Sequence, residues 1–235
     1  MSISEHISKQ FNAELEAVRS SVLQMGGLVE EQIERAIEAL TTGNIDLIEQ
    51  VIVDDHRVNA MEVSIDEICS QIIARRQPTA GDLRMIMTVI KTITDLERIG
   101  DEAAKIARMA KLIYGAGRKH MPRFIEIRHV ANIAIEMLRK SLDAFARLDL
   151  TAAAQVVRQD ELVDEEFRSI IRQLITFMME DPRMISTSLE ILFAAKAIER
   201  IGDHAKNMSE YVVYLVKGKD VRHVTVEEIE REVLQ

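Results

Sequence analysis

Two segments, DLERIGDEAAKI at 95–106 and AIERIGDHAKNM at 197–208, each place a glutamate and an aspartate four residues apart around a glycine. Residues i and i+4 share a helix face, so Glu97 and Asp101 point the same way, as do Glu199 and Asp203. Like charges at that spacing weaken a helix by about 0.2–0.5 kcal/mol, so something must answer them. The apolar stripe around the first pair runs Leu83, Ile86, Ile90, Ile93, Glu97, Gly100, Ala104, which puts Glu97 on a core-facing position. Glu199 and Gly202 interrupt a stripe begun by Leu192 and Ala195 in the same way.

Two further stripes carry acids. They read Val51, Asp55, Val58, Glu62, Ile65, Cys69, Ile72 and Val156, Asp160, Val163, Phe167, Ile170, Leu174, Phe177. Asn59 follows Asp55 by four residues, and Asp164 follows Asp160. If these helices face the ERIGD helices, four or more oxygens gather in each place. Such oxygen donors suit Mg, Mn or Ca, and carboxylate clusters also hold iron. His56 and His204 adjoin the acids and could add nitrogen.

Two readings of these residues stay open. One is a set of surface acids held by local ion pairs, with Lys105 four after Asp101, Lys196 three before Glu199 and Lys206 three after Asp203. The other is a multidentate cation site. Carboxylates withdrawn from water cost several kcal/mol each unless paired or coordinated, and the recurrence of acids on core-facing stripes favours the second reading. Gly100 and Gly202 leave room for a close approach under either.

Apolar spacing at three and four residues runs almost unbroken and predicts six long helices. It is interrupted only at TTGN (41–44), RRQPTAGD (75–82), YGAGRKHMP (114–122), RLDL (147–150) and EDPR (180–183). Short breaks make neighbouring helices antiparallel. Sliding the chain on itself aligns Asp55 with Asp160, Val58 with Val163, Ile65 with Ile170, and one ERIGD with the other. The expected fold is therefore all-α, two similar antiparallel three-helix bundles related by an internal repeat. The first spans 1–115, the second 119–218, and 219–235 forms a short tail. Met85, Met87, Met178 and Met179 lie at helical spacing and read as core filler.

Composition removes several functions. A net charge of −9 argues against nucleic acid as the main ligand. No run approaches 18 apolar residues, and the opening MSISEHISKQFNAEL reads as a helix start. Cys69 alone makes neither a disulfide nor a thiolate site. A di-iron oxygenase bundle needs two Glu-x-x-His motifs, and only Glu126–His129 fits. No phosphate loop or hydrolytic triad appears, so no enzyme is expected.

The paired ERIGD segments, with DDHRVNAMEVSIDE at 54–67 and QDELVDEEF at 159–167, resemble the PhoU family of phosphate-signalling regulators. HISKQFNAELE near the N-terminus and the RQPTAGDLR turn extend the resemblance over nearly the whole chain. The resemblance implies a fold of two three-helix bundles. It implies a cytoplasmic negative regulator that couples the phosphate ABC transporter, at its ATPase subunit, to the phosphate sensor histidine kinase, often as a homodimer. Membrane contact would be peripheral only. It also implies iron or other divalent metal ions on the acidic faces, with Glu97, Asp101, Glu199, Asp203, Asp55 and Asp160 as ligands and Asn59 and Asp164 beside them. Asn59 departs from its counterpart Asp164 and makes the first site the less anionic of the two. The alternative is a carboxylate-cluster metal-storage or redox protein on a helical bundle.

Overall fold

The computed structural model describes residues 3–115 and 125–234, and side chains within 9–115 and 125–233. The helices are α1 (Ile3–Thr42), α2 (Ile45–Arg76), α3 (Ala80–Gly115), α4 (Ile125–Arg147), α5 (Leu150–Glu180), α6 (Ile185–Lys217) and α7 (Val226–Leu234). A single 3-10 turn, Pro182–Met184, precedes α6. The turn clusters at 41–44, 75–82, 147–150 and 180–183 each hold a helix break. Most of the YGAGRKHMP connection lies outside the described residues.

Each break has a local cause. Asn44 caps α2, its side chain accepting from the Leu47 N–H at 3.2 Å. Asp149 caps α5 by accepting from the N–H groups of Thr151 and Ala152 at 2.9 and 3.0 Å. Gly218 ends α6 in the left-handed region, with φ 73°. Gly43 leaves α1 at φ +70°, where a β-carbon would also run into the Tyr114 ring. That ring is fixed by its hydroxyl donating to Leu40 O at 2.9 Å. Gly43→Ala should therefore lower stability by about 1–2 kcal/mol from backbone conformation alone. Equilibrium urea unfolding of the two proteins will read the difference, and an equal midpoint would refute it.

α1, α2 and α3 pack on one another, as do α4, α5 and α6. The two halves are not beads on a linker: the most extensive contact in the molecule is α3 against α6, and α1 also packs on α4. Four helices thus form the middle, while α2 and α5 lie outside it. α3 and α6 run antiparallel, since Lys91 meets Tyr214 while Glu102 meets Arg200. Because both are packed on two sides, their buried residues spread well beyond a single stripe, taking in Thr88, Thr92, Asp95 and Glu102 on α3. Ala103 and Ala107 on α3, with Ala194 and Ala197 on α6, are fully buried.

The expected α2 stripe is the buried one, Val51, Asp55, Val58, Ile65, Cys69 and Ile72, and Val156 through Leu174 is its counterpart on α5. The stripes open toward the hairpin ends, where Leu83 and Phe177 are exposed. The methionines divide: Met85 and Met178 pack against the core, but Met87 and Met179 are exposed and are not core filler. The tail is partly helical. Thr225 and Glu228 form a capping box at the start of α7, with bonds of 3.3 and 3.0 Å. Ile229 is buried, and Arg158 of α5 holds Glu230 by two bonds of 2.6 and 2.7 Å.

Candidate functional site: two acidic helix faces

In the first half, α2 delivers Asp55 and α3 delivers Glu97 and Asp101. Asp55 is buried because its position belongs to the apolar stripe. Its Oδ1 accepts from Gln32 Nε2 of α1 at 2.9 Å, and the same nitrogen reaches Gly100 O at 3.3 Å. Gly100 matters for this close approach. A β-carbon there would lie 3.2 Å from Gln32 Oε1 and 3.4 Å from Asp55 Oδ1. Glu97 is half-buried and Asp101 exposed. Glu62, half-buried on α2, accepts from the Thr94 hydroxyl at 3.3 Å. Burial pushes the Glu97 carboxyl above its ordinary value, and the charges of Asp101, Glu62 and Asp55 push it further, against Arg98. These four carboxylates therefore share one electrostatic neighbourhood. Asn59, one turn beyond Asp55, is exposed and stands apart from the buried part of the face.

In the second half, α5 supplies buried Asp160 and half-buried Asp164, and α6 supplies buried Glu199 and half-buried Asp203. Asp203 is pushed up to about 6, first by burial and then by Glu199 and Asp160, with Lys196 opposing and Asp164 adding. The structure thus gathers the expected acids by halves, Asp55 with Glu97 and Asp101, and Asp160 and Asp164 with Glu199 and Asp203. Asp164 also lies 3.5 Å from Arg168 on its own helix.

The lysines do not behave as local spacing suggests. Lys105 pairs with Glu102 at 3.1 Å, not with Asp101. Lys206 crosses from α6 to Asp160 on α5 at 2.8 Å, not to Asp203. Lys196 does meet Glu199, contacting both oxygens at 2.5 Å. The charge difference between the halves therefore runs opposite to the expectation drawn from Asn59. Two ammonium groups sit in the second face, so the first is the more anionic. The histidines are not part of either acidic face. His56 is exposed with Nδ1 2.5 Å from Val53 O, and His204 turns across the seam to Asp95.

Among the described residues, no group of three or more His, Cys, Asp or Glu is arranged to hold a metal ion. The donor set of the first half is nonetheless one of hard oxygens, and Gln32 Oε1 is buried without a partner. Cys69, on α2 with Asp55, has its thiol pushed up to about 11 by burial and stays protonated and non-ligating at neutral pH. Gln32 was open to the same argument as Asp55, because it interrupts the α1 stripe Val22, Met25, Val29, Ile33.

A second polar constellation lies between the halves and carries no stripe signal. Asp95 and His204 are both buried, with Nδ1 2.7 Å from Oδ1. Asn207 Nδ2 lies 3.4 Å from the same oxygen. Burial, followed by the charge on Asp95 and a hydrogen bond to it, raises the Tyr211 hydroxyl well above its ordinary value. Arg200 of α6 reaches Glu102 of α3 at 3.1 Å.

Duplicated three-helix units, each with an acidic face on its second and third helices, define a class of tandem helical scaffold. The chain belongs to the PhoU family: the PhoU domain matches residues 22–110 and 127–212. It is 49% identical over 233 residues to the phosphate-specific transport system accessory protein PhoU homolog of Pseudomonas aeruginosa, covering 99% of this chain and 96% of that one. The Escherichia coli K12 protein named phosphate-specific transport system accessory protein PhoU is 48% identical, covering 98% and 95%. The crystal structure of PhoU from Pseudomonas aeruginosa superposes with a TM-score of 0.85 at 50% identity, over 89% of this chain and 100% of that one. That of the phosphate transport system regulatory protein PhoU from Streptococcus pneumoniae gives 0.83 at 27% identity, over 90% and 99%.

Proposed function

We propose that this protein regulates phosphate uptake and phosphate-starvation signalling without catalysing a reaction. The observation that carries this reading is the match along 99% of the chain, at about half identity, to a protein named an accessory of the phosphate-specific transport system. A regulator of that system must meet its ATPase subunit and the sensor histidine kinase, and it acts negatively, holding the starvation response off when phosphate is plentiful. Two similar but unequal halves suit an adaptor with two partners. No helix among the described residues is long and apolar enough to cross a membrane, which suits a cytoplasmic homodimer that touches the membrane only through the transporter. The acidic faces serve as cation sites that stiffen the docking surfaces. A divalent ion bound there would supply charge neutralisation and cross-helix tethering, with Asp55, Glu97 and Asp101 as its carboxylates in the first half.

Pull-down with the ATPase subunit and with the kinase tests the adaptor role. Wild type should retain both. Glu97→Ala with Asp101→Ala should weaken retention at least tenfold while helix content stays constant by circular dichroism. Undiminished retention would remove these acids from partner docking, and no retention by wild type would end the adaptor reading.

A further inference from the structure

We propose that the hairpin end of the second half, beside Phe177, is a docking berth for a basic amphipathic helix of a partner protein, seated there as the start of α1 is seated on the first half. The partner is one that the adaptor reading requires, and in that respect the proposal rests on it. The berth itself follows from the repeat.

α1 has 40 residues and α4 has 23. The two helices end at equivalent positions, Thr42 and Arg147, and their buried residues keep one register: Val22, Met25 and Ile33 match Ile127, Val130 and Leu138. All of the difference therefore lies at the start. Residues 3–19 of α1, about 25 Å of helix, have no counterpart in α4. On the first half this segment covers the end of α2. Val18 is buried, and Phe11 and Leu15 pack against the core. Glu14 accepts from Arg76, the last residue of α2, in two bonds of 3.0 and 2.6 Å. Ile72, one turn earlier on α2, is 4% exposed.

The second half lacks that cover. Along α5, Ile170 and Leu174 are buried like Ile65 and Cys69, but Phe177, in the place of Ile72, is 41% exposed. Ile125 is 65% exposed where α4 begins. The chemistry of a fitting helix can be read from the first half. Phe11, Leu15 and Val18 show the apolar spacing i, i+4, i+7 of a helix laid in a groove. The charge must be reversed. Arg76 is replaced by an acid however the helix ends are matched, by Glu180 as last helical residue or by Asp181 in helix phase. Arg183 already holds Asp181, and Glu180 is exposed. A helix lying here therefore carries Lys or Arg where α1 carries Glu14. A second copy of this chain does not meet that requirement. Its α1 would oppose Glu14 to Glu180, and its α7 carries Glu227, Glu228, Glu230 and Glu232.

The probe is residues 3–19 of α1 as a fluorescent synthetic peptide with Glu14→Arg, titrated with the full-length protein and followed by anisotropy. One site per chain is expected, with the unaltered peptide bound at least fivefold more weakly. Phe177→Ser should weaken the Glu14→Arg peptide at least tenfold, and Glu180→Arg should reverse the preference between the peptides. Both positions are exposed, so neither variant threatens the fold. Equal affinity of the two peptides, indifference to Phe177→Ser, or no binding would overturn the berth. Benzoylphenylalanine in place of Phe177 then reports the occupant in the cell. A photo-crosslink to a Lys- or Arg-rich amphipathic helix of another protein is expected; one to residues 116–124 or to a second copy would overturn the proposal. Pull-down keeps the two readings apart. If wild type retains the ATPase subunit and the kinase, and Phe177→Ser with Glu180→Arg retains both equally, the berth fails and the adaptor reading stands. If wild type retains neither, the adaptor reading fails and with it the partner assigned to the berth.

Discussion

His204→Ala is expected to destabilise the protein by about 3–5 kcal/mol, the cost of stripping a buried charge of its partner. Asp95 is 2% exposed and accepts from His204 Nδ1 at 2.7 Å, its nearest donor, with the Tyr211 hydroxyl beside it and Asn207 as a longer donor at 3.4 Å. A carboxylate only accepts, so Nδ1 carries the hydrogen and Nε2 is left unpaired in the seam. Removing the imidazole takes the nearest donor from a carboxylate buried in a helix–helix contact. Asp95→Leu with His204→Leu should recover most of the loss, because two well-packed apolar side chains need no partners. Urea unfolding of the two single variants and the double variant closes the cycle. A loss below about 1 kcal/mol for His204→Ala, the range of a surface pair, would show that the seam admits water.

The second large effect depends on pH. Glu210 is buried and its carboxyl is pushed from 4.5 up to about 7, first by burial and then by Asp160 and Asp220, against Lys206 and Arg222. The folded chain therefore holds a proton between pH 4.5 and 7 that the unfolded chain releases. Stability from this group is complete below pH 4.5 and is lost as pH rises through 7. The rise corresponds to about 3 kcal/mol. Glu210→Gln, which cannot ionise, should match wild type at pH 4.5 and exceed it by up to that amount at pH 8. Parallel stability curves across that range would refute the burial argument. Asp203, raised to about 6, contributes with the same sign over a lower window.

Sequence alone determined the helices, their breaks and the repeat. In α2 and α5 only one face is packed in each turn, so burial imposes a single periodic stripe, and a polar residue inside it stands out. That is why Asp55 and Asp160 were legible, and why Gln32, by the same rule, was within reach. Family membership was legible too, because the ERIGD segments recur in matching surroundings.

Tertiary structure decided what two-sided packing hides. α3 and α6 are buried toward their own half and toward each other, so Asp95, Glu102 and His204 fall off any one stripe. The repeat is no help there. Ala197 stands in the place of Asp95, and Glu102 in that of His204, so the pair exists only once the two halves meet. Charge assignment was hidden for a related reason. Lys206 lies three residues from Asp203 on one helix, yet its ammonium group ends on Asp160 of another. A lysine side chain reaches farther than a helical turn, and which acid it satisfies is set by which helix packs beside it. That choice makes the first half, not the second, the more anionic face.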